Sequence, residues 1–387
     1  MWMPISTVIP EEIINVLPQT GGNREFAMGG TYIAFNQGIN ALFGNPAGLT
    51  ANNAVEIILG NYWQIHKTSQ FDDEYYSRSW NDSYSIKYEK VHRLNYFGLS
   101  YHKRLPHSPF KFAGAIGISP FYNWKSTRHS DGNESYVSGT SEDVHYRIVQ
   151  KEKIVGLYDL LSIGIGFSWE ETASIGFSVN YPIREKYEYE FNSIYTYERN
   201  GDKQSSDYTS KNSENVSASQ FIRIGGMLHV TSRLTLGILW MQTHHYNISD
   251  QRREFPATLN FGIAYKILPE LLFAFDIQSQ PWEKVKIENE FIPAVKSGNA
   301  YRFGLEYINK IIIRTGYALD RLPVMDLDDN AVDMNNVTLG IGYLTKYFIF
   351  EIGARYRFTT FKTDNWFDEY DYNFREIVLQ STIKITI

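Results

Sequence analysis

Apolar and polar side chains alternate along most of this chain. From Phe348 to Phe358, the residues Phe348, Phe350, Ile352, Ala354, Tyr356 and Phe358 share one face of an extended backbone, and Glu351, Gly353, Arg355 and Arg357 share the other. A strand places successive side chains on opposite faces, so this is one apolar face and one polar face. Leu259, Phe261, Ile263 and Tyr265 alternate in the same way with Thr258, Asn260, Gly262, Ala264 and Lys266. At the end of the chain Leu379, Ile383, Ile385 and Ile387 alternate with Gln380, Thr382, Lys384 and Thr386. Followed along the sequence, the period predicts about fourteen strands, near residues 53–66, 92–103, 111–124, 154–169, 172–191, 216–230, 233–247, 253–267, 271–285, 299–309, 311–321, 334–345, 348–361 and 374–387.

The connections sort by parity. Those after even-numbered strands are short: Glu170-Glu171, Thr231-Ser232, Leu268-Pro269-Glu270, Lys310 and Thr345-Lys346-Tyr347, with Arg104 to Phe110 (through Pro106 and Pro109) a little longer. Those after odd-numbered strands are mostly long and polar: His66 to Val91, Lys125 to Lys153, Asn192 to Glu214, Lys286 to Gly298 and Lys362 to Asn373. Periplasmic turns and extracellular loops of outer-membrane barrels differ in this way, whereas a soluble sandwich has no reason to sort its loops. In hydrocarbon every strand N–H and C=O needs a partner, so the sheet must close, first strand on last. The fold class predicted is therefore all-β: a transmembrane antiparallel β-barrel of about fourteen strands, with both chain ends on the periplasmic side.

Composition agrees. Mean hydropathy is −0.34, and no run approaches the ~20 apolar residues that a spanning helix needs. Aromatic residues are 16% of the chain, with Tyr 28, and recur near strand ends, as interfacial girdles do. Cys 0 suits an oxidising compartment, and a net charge of −6 without a basic stripe gives no nucleic-acid footprint. Met1-Trp2-Met3-Pro4 does not open a secretory signal, so an outer-membrane protein would have had its signal removed or encoded upstream.

Residues 1–51 break the alternation, and the barrel is assigned to 52–387. Ala27-Met28-Gly29-Gly30, Gly38, Ala41 and Gly44-Asn45-Pro46-Ala47-Gly48-Leu49-Thr50 scatter apolar positions among small ones. A lumen of about fourteen strands fills with water unless plugged, and a compact Gly-rich segment of this length could fold inside. The stretches Phe26–Ala34 and Ala41–Leu49, the latter carrying Asn45-Pro46-Ala47 just before the first strand, resemble the N-terminal hatch of FadL/TodX-type transporters. Pro256–Tyr265, Arg302–Tyr307, Arg314–Tyr317 and Pro323-Val324 resemble strands of the same family; loops 67–91 and 125–153 have no obvious counterpart. The resemblance implies a fourteen-stranded barrel plugged by its N-terminus. It also implies passive uptake of long-chain fatty acids or other hydrophobic compounds, with lateral exit through the wall near a kink in strand 3.

Candidate residues follow. Gly114, Gly117 and Pro120 lie in predicted strand 3, where proline cannot donate to the ladder and glycine permits a bulge; Pro120 could instead mark the strand's upper end. Asn45, Pro46 and Ala47 either shape the hatch or form an ordinary turn. Arg302, Arg314, Arg355, Arg357 and Lys266 fall on lumen parity together with Glu306, Glu351 and Asp276. They are either a head-group clamp for a carboxylate or internal ion pairs tying hatch to wall. Ser162, Gly164, Gly166, Ser168, Gly176 and Ser178 leave inward room for a plug or ligand, or relieve crowding in the curved wall. His244-His245 point to opposite faces and make a poor metal pair. No nucleophile elbow, metal spacing or phosphate loop is found, so neither an enzyme nor a cofactor is expected.

The function expected is passive outer-membrane transport of hydrophobic small molecules by a monomer set in lipid and lipopolysaccharide. The alternative, from the polar loops rich in Tyr, Ser, Asn and Asp, is a PorV-like protein-secretion or surface-attachment barrel.

Overall fold

The computed structural model describes residues 22–51, 55–73, 83–88, 91–104, 107–123, 126–137, 143–170, 172–199, 202–214, 216–248, 251–287, 290–291, 295–365 and 368–387. Residues 1–21 of the expected hatch, and Pro106 and Glu171 of the expected turns, lie outside them. Fourteen antiparallel strands form the wall: β1 Glu56–Asp73, β2 Val91–Arg104, β3 Phe110–Asn123, β4 Asp143–Trp169, β5 Ala173–Arg199, β6 Phe221–His229, β7 Leu234–Met241, β8 Thr258–Leu268, β9 Leu271–Gln280, β10 Gly298–Ile308, β11 Ile311–Met325, β12 Ala331–Leu344, β13 Phe348–Asn365 and β14 Asp368–Thr386. Each pairs with the next. The sheet closes where β14 returns to β1, from Glu56 opposite Thr386 to Asp73 opposite Tyr370.

The period-two pattern becomes a two-sided wall. On β8, Leu259, Phe261, Ile263 and Tyr265 point outward and are exposed, while Asn260, Gly262 and Ala264 are buried inward. On β13, Phe350 and Ile352 are exposed and Glu351 and Arg357 buried. An outward belt of this extent needs a hydrocarbon surround, since water would drive it to associate. No helix among the described residues is long and apolar enough to cross a membrane; the strands cross instead.

The long-loop end differs from the sequence expectation. The predicted strands 6, 7, 8 and 9 each ran several residues further there. The ends of 6, 7 and 8 instead leave the wall as Val216–Ala218, His244–Ile248 and Gln251–Phe255, and with Lys286–Ile287 and Glu290–Phe291 of the expected loop they form a second, five-stranded sheet, while the end of 9 becomes a 3-10 turn, Trp282–Lys284. Pro256 and Pro281 sit at two of the breaks. Neither can donate to a ladder, so the wall pairing stops beside them. Conversely β1, β4 and β5 run well past their expected ends. β4 and β5 stay paired from Trp169 opposite Ala173 to Val144 opposite Arg199, and carry Ser126–Val137 and Asp202–Glu214 on their outer edges.

Candidate functional site

Residues 22–51 lie inside the barrel. They form one short helix, α1 (Asn23–Ala27), and two 3-10 turns, Gly38–Leu42 and Pro46–Ala51, nearly all buried. Gly29, Gly30 and Gly38 have positive φ (70°, 78° and 61°), a region that L side chains rarely adopt, which accounts for the glycine-rich composition. The wall meets this segment with glycine as well. A Cβ on Gly316 would stand 2.1 Å from the Gly29 nitrogen, and one on Gly176 would stand 2.1 Å from the Pro46 carbonyl carbon. Gly164, Gly166 and Gly176, expected to leave inward room, therefore seat Leu42, Leu49 and Pro46.

Polar contacts fasten the segment all round. Asn45 Nδ2 donates to the Ile33 carbonyl (2.6 Å) and reaches the Ile238 and Gly226 carbonyls at 3.3 and 3.4 Å, while Asn45 Oδ1 accepts from the Ala47 N–H (3.1 Å). Asp276 Oδ2 accepts from the Tyr32 and Ile33 N–H groups (2.7 and 3.2 Å), and Glu56 Oε2 accepts from the Ile39 N–H (2.8 Å). Thr338 Oγ1 accepts from the Gly29 N–H (2.8 Å) and donates to the Ala27 carbonyl (2.9 Å). Arg223 Nη1 donates to the Phe43 carbonyl (3.0 Å).

Charge concentrates under α1. Glu306 accepts from Arg24 Nε (2.8 Å) and Nη2 (2.5 Å) and from Arg314 Nε (2.6 Å), and Arg314 Nη1 lies 2.7 Å from Glu351. Arg357 pairs with Glu376 at 2.5 Å, with Arg355 3.9 Å away, and Arg302 pairs with Asp320 at 2.5 Å. One carboxyl stands apart. Glu25, on α1, is 1% exposed and no described residue hydrogen-bonds either side-chain oxygen. Burial raises its pKa to about 7.

Above the segment, between it and the second sheet, lies a cavity of about 100 Å³. Phe43 and Tyr32 form its floor; Phe121, Leu239 and Met241 come from the wall; Phe255, Trp282 and Val285 roof it. Its polar lining includes Arg223, His244 and Arg302. Arg223 lies over the Phe121 and Phe221 rings (5.8 and 5.3 Å), and Trp282 Nε1 donates to the Arg321 carbonyl (2.7 Å). His244 stacks on Phe255 (5.3 Å, 13°) and meets Phe121 edge-on (5.3 Å, 71°). It belongs to the second sheet, outside the spanning strands, and burial lowers its pKa to about 4, so the ring is neutral.

The wall beside this cavity is incomplete. β2 and β3 pair from Arg104 opposite Lys111 up to Phe97 opposite Ile118. Beyond that, no ladder pair among the described residues links Val91–Tyr96 of β2 with Ser119–Asn123 of β3. Each edge stays paired on its other side, with β1 and with β4. β3 carries a bulge between Pro120 and Tyr122, and Phe121 there points into the cavity. The Phe43 ring packs where Gly98 and Gly117 leave space, against the last closed rungs.

No family model matches the chain, and no curated protein matches it by sequence. Solved structures do match over nearly their whole length. The Pseudomonas putida toluene transporter TodX is 15% identical, covers 95% of this chain and 98% of its own, and superposes with a TM-score of 0.61. A Pseudomonas aeruginosa FadL homologue (12% identical, 95% and 98% covered, TM-score 0.54) and the Ralstonia pickettii toluene transporter TbuX (13%, 97% and 100%, 0.53) match likewise. The chain has the fold of these transporters.

Against that fold the candidate residues divide. Of the five basic residues on lumen parity, Arg302 alone lines the cavity; Arg314, Arg355 and Arg357 lie in the ion-pair network, and Lys266 is exposed at the short-turn rim. In β3 the irregularity falls one residue past Pro120, and the ladder to β4 runs unbroken through Gly114 and Gly117. His244 and His245 do face opposite ways, one buried in the cavity and the other bonded to Ser219 through its N–H (2.9 Å). Sequence reasoning missed Arg223, Phe121 and Trp282. Arg223 shares lumen parity with Gly225 and was legible in principle. Phe121 shares lumen parity with Gly117 and Ser119 and was legible in the same way, whereas Trp282 lies in a loop with no period to read.

Proposed function

We propose that this protein is a passive outer-membrane channel for small hydrophobic, chiefly aromatic, molecules. The observation that carries the reading is the apolar cavity that borders the unpaired stretch of wall between β2 and β3. The short-turn end faces the periplasm, and residues 1–51 act as a hatch that closes the straight path through the lumen. Ligand enters from the long-loop side, rests among Phe43, Phe121, Phe255 and Trp282, and leaves sideways past Phe43 and Phe121 into the bilayer. Apolar walls supply affinity, and Arg223 and Arg302 orient any polar group. Dry protein cavities of about 150 Å³ take up benzene, so a cavity of about 100 Å³ suits one aromatic ring better than an extended acyl chain. Toluene transport by TodX and TbuX is in keeping with that size. A PorV-like docking role asks for a solid lumen and a flat loop surface, and the cavity argues against it.

The test is uptake of radiolabelled toluene, and separately of a long-chain fatty acid, by cells with and without the gene. Gene-dependent toluene uptake supports the reading. Equal uptake of both compounds in both strains contradicts it.

A further inference from the structure

Charge is unevenly spread over the outside of the barrel. The chain carries a net charge of −6, yet the rim formed by the short turns is basic. Lys103 and Arg104 end β2, Arg233 precedes β7, Lys266 lies near the end of β8, and Lys310 and Lys346 sit in the turns before β11 and β13. All six are exposed, and among the described residues none of them has an ion-pair partner. The exposed side-chain carboxylates described on this rim are Glu170 and Glu270. One unpaired surface lysine is ordinary; six cations on one rim of an acidic protein make a field of a single sign.

Backbone hydrogen bonds draw four of the six into two pairs. The Lys266 N–H donates to the Arg233 carbonyl (2.8 Å), and the Leu344 N–H, two residues before Lys346, donates to the Lys310 carbonyl (3.0 Å). In the second pair aromatic rings fix where the charges sit. Lys310 Nζ lies over the Tyr343 ring (5.8 Å) and Lys346 Nζ over the Tyr347 ring (5.0 Å). Both rings are exposed, in company with Tyr265, Tyr307 and Phe348 near the same rim. Such a girdle marks the level of the lipid headgroups, so the two ammonium groups stand at that level on the lipid side and not over the lumen. Toward the bilayer centre the same two strands offer a bare apolar strip. Ile311 is opposite Tyr343, Ile313 opposite Ile341 and Thr315 opposite Leu339. Ile311, Ile313, Leu339 and Ile341 are each more than half exposed. Glu270, whose carbonyl accepts from the Ile308 N–H (2.8 Å), ion-pairs with neither lysine.

We propose that Lys310 and Lys346 clamp the headgroup phosphate of an anionic phospholipid of the inner leaflet, whose acyl chains lie along Ile311, Ile313, Leu339 and Ile341. Charge and apolar strip together select this occupant. A soluble phosphate gains nothing from the strip. A zwitterionic lipid brings its own ammonium group, which the two lysines repel. An acidic protein could meet the cations, but not at girdle depth beside bare aliphatic side chains. Each cation near an anionic headgroup is worth about fivefold in binding, so the pair favours an anionic over a zwitterionic lipid by roughly thirtyfold. The leaflet follows from the orientation proposed above, but the site does not depend on transport, so lipid binding and toluene uptake can fail separately.

The test is native mass spectrometry of the purified full chain, released from detergent after titration with dioleoyl phosphatidylglycerol or dioleoyl phosphatidylethanolamine. Lys310→Gln/Lys346→Gln removes the clamp, and Lys203→Gln/Lys211→Gln removes the same charge at the long-loop end as the control. Heat-modifiable migration checks that each barrel has folded. Wild type should retain phosphatidylglycerol at concentrations roughly thirtyfold below those needed for phosphatidylethanolamine. The clamp variant should lose most of that preference, and the control should keep it. Equal retention of the two lipids by wild type overturns the proposal, as does a preference that survives undiminished in the clamp variant. Displacement of the bound lipid by sn-glycerol 1-phosphate at equal concentration overturns it in favour of a plain anion site. A lipid-free dimer that the clamp variant abolishes overturns it in favour of a contact between copies.

Discussion

Arg24 of the N-terminal segment grips Glu306 of the wall with two donors, Nε at 2.8 Å and Nη2 at 2.5 Å, across 282 positions of sequence. Glu306 is fully buried. Removing one partner from a buried pair costs roughly 3–5 kcal/mol, because the other charge stays desolvated. Arg314 still faces Glu306, so Arg24→Ala should fall at the lower end. The expected outcome is a loosened plug: single-channel recordings should show frequent open events that the wild type lacks. A silent Arg24→Ala channel would mean that the glycine seats and backbone bonds suffice.

The seats themselves give a sharper variant. Gly316→Ala puts a methyl 2.1 Å from the Gly29 nitrogen, with no flexible side chain to give way. The barrel should still assemble, since its ladders are untouched, but the segment around Gly29 must shift. Limited proteolysis within residues 22–51 should accelerate several-fold relative to wild type. Gly114→Ala is the control, for no atom lies within 4 Å of its added carbon.

Glu25 supplies a pH signature. Its folded pKa of about 7 exceeds the ordinary 4.5, so the folded state favours the protonated form. The favourable contribution is present below pH 4.5 and is lost as pH rises through 7. Glu25→Gln removes that loss and should stabilise the segment at pH 8 by at most roughly 3 kcal/mol. Hydrogen exchange of α1 amides at pH 5 and pH 8 measures this. Protection that falls between the two pH values in wild type and not in the variant is expected.

His244 titrates the other way. Burial among Phe121, Phe221 and Phe255, beside the Arg223 charge, holds its pKa near 4, below the ordinary 6.5. The native arrangement is favoured above pH 6.5 and loses that advantage as pH falls toward 4. Binding of toluene to the purified protein should be level from pH 8 to 6.5 and weaken below. His244→Phe should flatten the profile while keeping the cavity apolar.

Much of this molecule is legible in the sequence because a membrane enforces a strict period. Phe261 must face lipid and Asn260 the lumen, so fourteen strands, their order and their faces can be counted from alternation alone. Asn45-Pro46-Ala47 stood out for the opposite reason: it interrupts the period. The site was harder to see. Arg302 and Arg314 have the same parity, yet one lines the cavity and the other is held between Glu306 and Glu351; only the third dimension separates them. Outside the bilayer the rule lapses, so β7 ends at Met241 while β5 runs on to Arg199, and a one-residue bulge at Ile183 reverses the faces above it.

The sideways exit proposed between β2 and β3 can be tested by closing it. The chain has no cysteine, so a pair introduced at Leu94 and Pro120, on the two edges of the unpaired stretch, can be joined by a cleavable bifunctional thiol reagent. Toluene uptake by cells carrying this variant, measured before joining, after joining and after cleavage, is the decisive quantity. Uptake should drop on joining to the level of cells without the gene and return on cleavage; uptake undiminished by the joined pair would contradict a sideways exit.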